Sequence, residues 1–216
     1  MGLLAAANIF ESNYTRAFAW LFAATVVDAT DGVLARAARV SERLPWFDGA
    51  LLDNLVDYIT YVFVPALLVW QALLVPDAWS IPLCSLMLLS SAYGFSRDDA
   101  KTEDHLFTGF PSYWNVVALY LYVARWPQGV NVLILAGLGV LVFVPIRYVY
   151  PSRTPFLRPL TLVLGAGWAI SMLVMIRHAS NVSRPLLWAS LVFPAYYVLL
   201  SIAVSVRRRR ARDRES

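Results

Sequence analysis

The chain has 216 residues, 59% of them hydrophobic and 15% charged, with a mean hydropathy of +0.60. A soluble domain carries about 25% charged residues, so a water-soluble globule is excluded and a chain that crosses a membrane several times is indicated. The apolar runs lack the period-2 alternation of barrel strands, and much of the net charge of +4 sits in the tail Arg207-Arg208-Arg209-Arg210-Ala211-Arg212; directly after an apolar segment, that cluster reads as an anchor at anionic headgroups and not as a nucleic-acid surface.

In chain order, the first ten residues are apolar but too short to span a hydrocarbon core of about 30 Å. They read as the end of a helix whose beginning is missing or as an interfacial piece, and the lack of a basic n-region argues against a signal peptide. Full-length spans are predicted at 16–37, 50–75, 79–96, 110–126, 129–149, 159–177 and 185–206. The expected fold is therefore all-α, a polytopic transmembrane helical bundle of 7 full spans plus a partial N-terminal helix. Residues 1–216 form a single integral membrane domain, with no repeat and no linker. Cys84, the single cysteine, lies in an apolar run and leaves no disulfide or thiolate cluster within one chain.

Basic residues fall at alternate ends of the spans. Arg36, Arg39 and Arg43 follow the first, Arg97 and Lys101 the third, Arg147, Arg153 and Arg158 the fifth, and the arginine tail the seventh. The intervening turns are poorer, with Arg125 in one and Arg177 and Arg184 in another. The positive-inside rule places the richer ends, including the C-terminus, in the cytoplasm. The stretch Arg97-Asp98-Asp99-Ala100-Lys101-Thr102-Glu103-Asp104 reads as a solvated loop on that side.

Ionisable side chains in apolar helices cost about 2.5–3.5 kcal/mol each on insertion scales and read by default as functional. Asp28 and Asp31 stand at i, i+3 near the end of the first full span, and Asp53 and Asp57 at i, i+4 near the start of the second. Each pair shares a helix face, and antiparallel packing of the two spans brings four carboxylates to one small volume. Four such charges in low dielectric repel or protonate unless a cation neutralises them. Oxygen-only donors select a hard ion, Mg²⁺ or Mn²⁺ with phosphate oxygens completing the shell, and four carboxylates suffice for two ions. His105 and His178 lie elsewhere in the sequence and read as loop residues. Gly32, Ala35 and Gly49 remove side chains where a flat group would approach, or serve helix packing.

Written out, the stretch is Asp28-x2-Asp31-Gly32-x2-Ala35-Arg36-x12-Gly49-x3-Asp53-x3-Asp57. It closely resembles the signature of the CDP-alcohol phosphatidyltransferases, integral membrane enzymes in which the hydroxyl of a second alcohol displaces CMP from a CDP-alcohol. The twelve-residue spacer after Arg36 is longer than the family's usual one. In this it is similar to the branch of bacterial phosphatidylcholine synthases, as are Leu52-Asp53-Asn54-Leu55-Val56-Asp57-Tyr58-Ile59-Thr60-Tyr61, Phe110-Pro111-Ser112-Tyr113-Trp114-Asn115 and the region of Pro145-Ile146-Arg147-Tyr148-Val149-Tyr150-Pro151. The resemblance implies an eight-helix parent, CDP-diacylglycerol and choline as substrates, a homodimer, and a place in the bacterial inner membrane with the site on the cytoplasmic side. It implies Asp28, Asp31, Asp53 and Asp57 as metal ligands, Asp57 also as general base, and Gly32, Ala35, Arg36 and Gly49 at the cytidine nucleotide.

Choline has no N–H to donate and calls for aromatic faces; Tyr61, one turn beyond Asp57, leads the candidates, with Tyr58, Tyr113, Trp114 and Tyr148 after it. Arg147 and Arg153 are placed to hold a lipid phosphate or to anchor the helix end. The alternatives are another acceptor (serine, inositol phosphate or glycerol phosphate) and, in a different class, a divalent cation transporter. Transport calls for polar residues throughout the membrane depth, whereas these acids sit at one end.

The charge pattern makes a prediction about orientation. A fluorescent protein fused to the C-terminus is expected to fluoresce and alkaline phosphatase fused there to stay inactive, while phosphatase inserted in the turn at Pro76-Asp77 is active.

Overall fold

Helix follows hydropathy along most of the chain in a computed structural model that describes residues 1–97, 106–144, 147–149 and 158–212. A short helix α1 (Gly2–Phe10) turns at Ser12, where φ is +56°, and leads into α2 (Tyr14–Ala37), whose first turn is capped by the Asn13 side chain accepting from the Arg16 N–H. Ala5 and Ile9 of α1 are fully buried, so α1 packs as part of the core. A single turn α3 (Val40–Arg43) occupies the spacer. The Asp48 carboxylate then accepts the Leu51 N–H at 2.9 Å and starts α4 at Gly49.

The second span is one continuous rod of three kinds of turn. Helix α4 (Gly49–Asp57) passes into a π-helical segment (Tyr58–Phe63) and on into α5 (Val64–Gln71). Pro65 accounts for the wide turn. It has no N–H to return to the Tyr61 carbonyl, and its ring crowds that oxygen; the Val64 N–H reaches back to Ile59 instead.

Helix α6 (Asp77–Phe95) returns toward the end of the molecule where α2 finished. There follow strand β1 (Leu106–Thr108), α7 (Trp114–Ala124), α8 (Gln128–Leu141) and strand β2 (Arg147–Val149). Helix α9 (Arg158–Arg177) and the pair α10 (Arg184–Ser190) and α11 (Val192–Arg212) complete the order. The protein is a polytopic helical membrane bundle: among the described residues, five helices are long and apolar enough to cross a membrane, at Tyr14–Ala37, Gly49–Gln71, Asp77–Phe95, Pro159–Arg177 and Arg184–Ile202. Large apolar side chains such as Leu89, Leu133 and Val163 point outward, as lipid-facing positions do and as water-facing ones do not.

Two of the predicted full spans are shorter than expected. The fourth begins at Trp114 instead of 110 because Pro111 offers no N–H and Ser112 is left-handed, and it stops at Arg125, also left-handed. The fifth ends at Leu141, whose carbonyl accepts the Phe110 N–H at 3.1 Å, and 147–149 pair antiparallel with β1, Leu106 opposite Val149 and Thr108 opposite Arg147. A short apolar, β-branched run serves a strand as readily as a helix, and hydropathy alone does not separate the two.

Polar side chains lock the helix ends opposite the acidic residues. Gln128 and Asn131 donate to the carbonyls of Leu73 and Leu74 at 2.8 and 2.7 Å, and the Tyr14 hydroxyl donates to that of Gln71 at 3.0 Å. The last helices are tied in through the Tyr120 hydroxyl, which meets Ser190 at 3.0 Å and accepts from the Trp168 indole at 3.1 Å.

Gly109 holds the approach of β1 to the end of α8. Its φ is +87°, and a Cβ there would run into the backbone carbonyl of Val142. Gly109→Ala is therefore expected to cost about 1–3 kcal/mol and to lower the melting temperature in detergent by several degrees, whereas Gly129→Ala, which meets nothing within 4 Å, leaves it nearly unchanged.

Candidate metal and nucleotide site

Antiparallel pairing sets the depth of the acids. Asp28 stands nine residues before the end of α2 and Asp57 eight residues after the start of α4, so the rise of about 1.5 Å per residue leaves them nearly level. Asp28, Asp53 and Asp57, all half-buried, place one carboxylate oxygen each within 4.8 Å of one another. This convergence is the geometry expected from the i, i+4 spacing of Asp53 and Asp57 and their opposition to α2.

Asp31 is exposed and its carboxylate is not in that group. Three residues of an α-helix leave it about 60° around the axis from Asp28, so it borders the trio from the next turn. Gly32 is half-buried, and Ala35, Arg36 and Gly49 are exposed beyond it. The Arg36 guanidinium folds back over Gly32, where a Cβ would lie 3.3 Å from one of its nitrogens. At Gly49 a Cβ would meet nothing within 4 Å, so the space in front of the first turn of α4 is open.

The aromatic candidates separate by surroundings. Tyr61 is 7% exposed; its hydroxyl donates to Asp28 Oδ2 at 2.9 Å and its ring stands edge-on to Tyr113, centroids 6.1 Å apart. Tyr61, expected to present an open face, is instead folded into the acidic cluster. Tyr58 turns to α6, donating to the Leu88 carbonyl at 3.0 Å and packing edge-on against Phe95. Trp114 has no exposed surface, and its indole N–H donates to Ser91 at 2.8 Å. This corrects the expectation of an accessible ring, because the left-handed Ser112 tucks the start of α7 into the core. Tyr113 alone of these four is exposed, at 37%. Arg153 lies outside the described residues, and Arg147 and Tyr148 are described only as backbone of β2.

Sequence reasoning passed over Thr25. Its hydroxyl accepts from the Asn115 side chain at 3.1 Å, joining α7 to α2 beside Asp28. The available signal was its i, i+3 spacing from Asp28, which puts both on one face.

A hard dication fits this donor set. Three carboxylate oxygens converge without a nitrogen or sulfur donor among them, which is the chemistry of Mg²⁺ and Mn²⁺ sites.

Comparison with known proteins points the same way. The family described as CDP-alcohol phosphatidyltransferase matches residues 1–146. The chain is 37% identical over 209 residues to a phosphatidylcholine synthase of Legionella bozemanae, covering 93% of this chain and 96% of that protein. It is 39% identical over 210 residues to a phosphatidylcholine synthase of Legionella pneumophila, covering 93% and 82%, and 33% identical over 203 residues to one of Borreliella burgdorferi, covering 94% and 86%. No solved structure matches.

Like charges this close cost stability until a cation arrives. Asp53→Asn is expected to raise the melting temperature in EDTA and to shrink the rise that Mn²⁺ produces. For the unaltered chain that rise corresponds to about 2.7 kcal/mol at a hundredfold excess over Kd.

Proposed function

The chain belongs to the CDP-alcohol phosphatidyltransferase family, and from that premise we propose that it is an enzyme transferring the phosphatidyl group of CDP-diacylglycerol to choline with release of CMP. The observation that carries the reading is the meeting of Asp28, Asp53 and Asp57 at one point between two spans. The choice of choline rests on the relatives described above, which bear the name phosphatidylcholine synthase.

In this reading Asp28, Asp53 and Asp57, with Asp31 from the adjoining turn, hold Mg²⁺ or Mn²⁺, two ions when the diphosphate is present. Such ions neutralise the diphosphate and stabilise charge developing on the leaving nucleotide. Gly32, Ala35 and Gly49 leave room for the cytidine nucleotide, and the Arg36 guanidinium beside Gly32 adds positive charge there. Asp57 takes the proton of the choline hydroxyl as that oxygen bonds to the phosphatidyl phosphorus. The bond from phosphorus to the CMP oxygen breaks, and CMP departs with the electron pair.

Tyr113 supplies the accessible aromatic face next to the cluster, edge-on to Tyr61 and partly open, which suits a quaternary ammonium without N–H groups. The positive-inside pattern sets the site at the cytoplasmic edge of the inner membrane.

The test is an assay in detergent with CDP-diacylglycerol, Mn²⁺ and labelled choline, in which CMP and phosphatidylcholine are expected in equal amounts. Consumption of serine or glycerol phosphate in place of choline would refute the acceptor. Asp57→Asn is expected to lower turnover by about 10²–10⁴-fold while CDP-diacylglycerol binding persists, and a variant with full turnover would remove Asp57 as base.

A further inference from the structure

Asp28 is the one carboxylate of the trio contributed by α2, and a hydrogen bond from another span holds it. The Tyr61 hydroxyl, on the π-helical segment, donates to Asp28 Oδ2 at 2.9 Å. Three residues before Asp28, the Thr25 hydroxyl accepts from Asn115 Nδ2 at 3.1 Å and donates its own hydrogen to the Leu21 carbonyl at 3.1 Å. Asn115 is buried and fixed in turn by its own carbonyl, which accepts the Val116 N–H at 2.9 Å.

An ionised carboxylate only accepts, so the hydrogen shared between Tyr61 and Asp28 is the tyrosine's. A carboxylate offers about four lone-pair sites, so the bond from Tyr61 orients Asp28 without exhausting it.

We propose that Tyr61 is a positioning residue that locks the Asp28 carboxylate in its metal-holding orientation. This rests on the metal reading of the trio. Its physical content is preorganisation: a donor behind a ligating group fixes that group's orientation before the ion arrives, and losing such a partner typically costs 10–100-fold in metal affinity. The π turn is what delivers the residue, because it departs from the α pattern immediately after Asp57 and carries the Tyr61 hydroxyl across to α2.

The experiment is a titration of the purified full-length protein in detergent with Mn²⁺ alone, free ion being followed by electron paramagnetic resonance, together with the Mn²⁺ dependence of phosphatidylcholine formation. Tyr61→Phe keeps the ring and its contact with Tyr113. It is expected to raise the Mn²⁺ dissociation constant about 10–100-fold and to raise the Mn²⁺ concentration for half-maximal activity, with kcat recovering as Mn²⁺ saturates. If Asp28→Asn loses Mn²⁺ while Tyr61→Phe binds it unchanged, or loses activity equally at every Mn²⁺ concentration, the positioning role is overturned and the metal reading stands. Should Asp28→Asn also bind Mn²⁺ unchanged, the metal reading of the trio itself fails.

Discussion

Mutual repulsion of carboxylates in an apolar slab is the constraint around which this molecule is arranged. Asp28, Asp53 and Asp57, half-buried near the ends of two apolar spans, place one carboxylate oxygen each within 4.8 Å of one another, and each charge in such a helix carries an insertion cost. Such a cluster persists only if other interactions in the bundle hold the two spans together and a cation or hydrogen-bond donors answer the charge. The neighbouring structure supplies part of that answer: Asp28 takes the Tyr61 hydroxyl at 2.9 Å, and the opposite ends of the helices are pinned by Gln128, Asn131 and Tyr14 on the carbonyls of 71–74.

The second span shows how a local break becomes a functional register. Pro65 deprives the Tyr61 carbonyl of its usual partner, and the turn widens to i, i+5 over Tyr58–Phe63. An unbroken α-helix would carry every side chain of the span on one fixed spiral. The widened turn re-aims the side chains that come after Asp57: Tyr58 toward α6, Tyr61 toward α2. The same proline that would be a defect in a soluble helix thus distributes two tyrosines to two neighbours.

Phe110-Pro111-Ser112-Tyr113-Trp114-Asn115 works in a related way. Phe110 stands edge-on to the Trp114 ring and gives its N–H to the end of α8, Trp114 reaches Ser91 on α6, and Asn115 reaches Thr25 on α2. Six consecutive residues therefore join three helices next to the acidic cluster, and only Tyr113 keeps an exposed ring. An aromatic-rich stretch that reads as a ligand face is, residue by residue, mostly a clamp.

Much of this was legible in the sequence and some of it was not, and the division has a physical cause. Apolar runs, charged residues out of place and the spacing Asp28-x2-Asp31 with Asp53-x3-Asp57 determined by themselves that the chain is a helical membrane bundle and that two consecutive spans meet through acids, and the signature they form resembles that of the CDP-alcohol phosphatidyltransferases; hydropathy and helical periodicity are local, additive properties. Only the tertiary structure decided that Asp31 stands outside the tight trio, that the runs at 110–126 and 129–149 make short helices with a strand between them and the next span, and that Tyr61 faces Asp28 while Trp114 is sealed in the core. Those outcomes turn on a proline-widened turn, left-handed residues at 112 and 125, and hydrogen bonds between residues as far apart as Thr25 and Asn115, and no window of sequence contains both partners of such a bond.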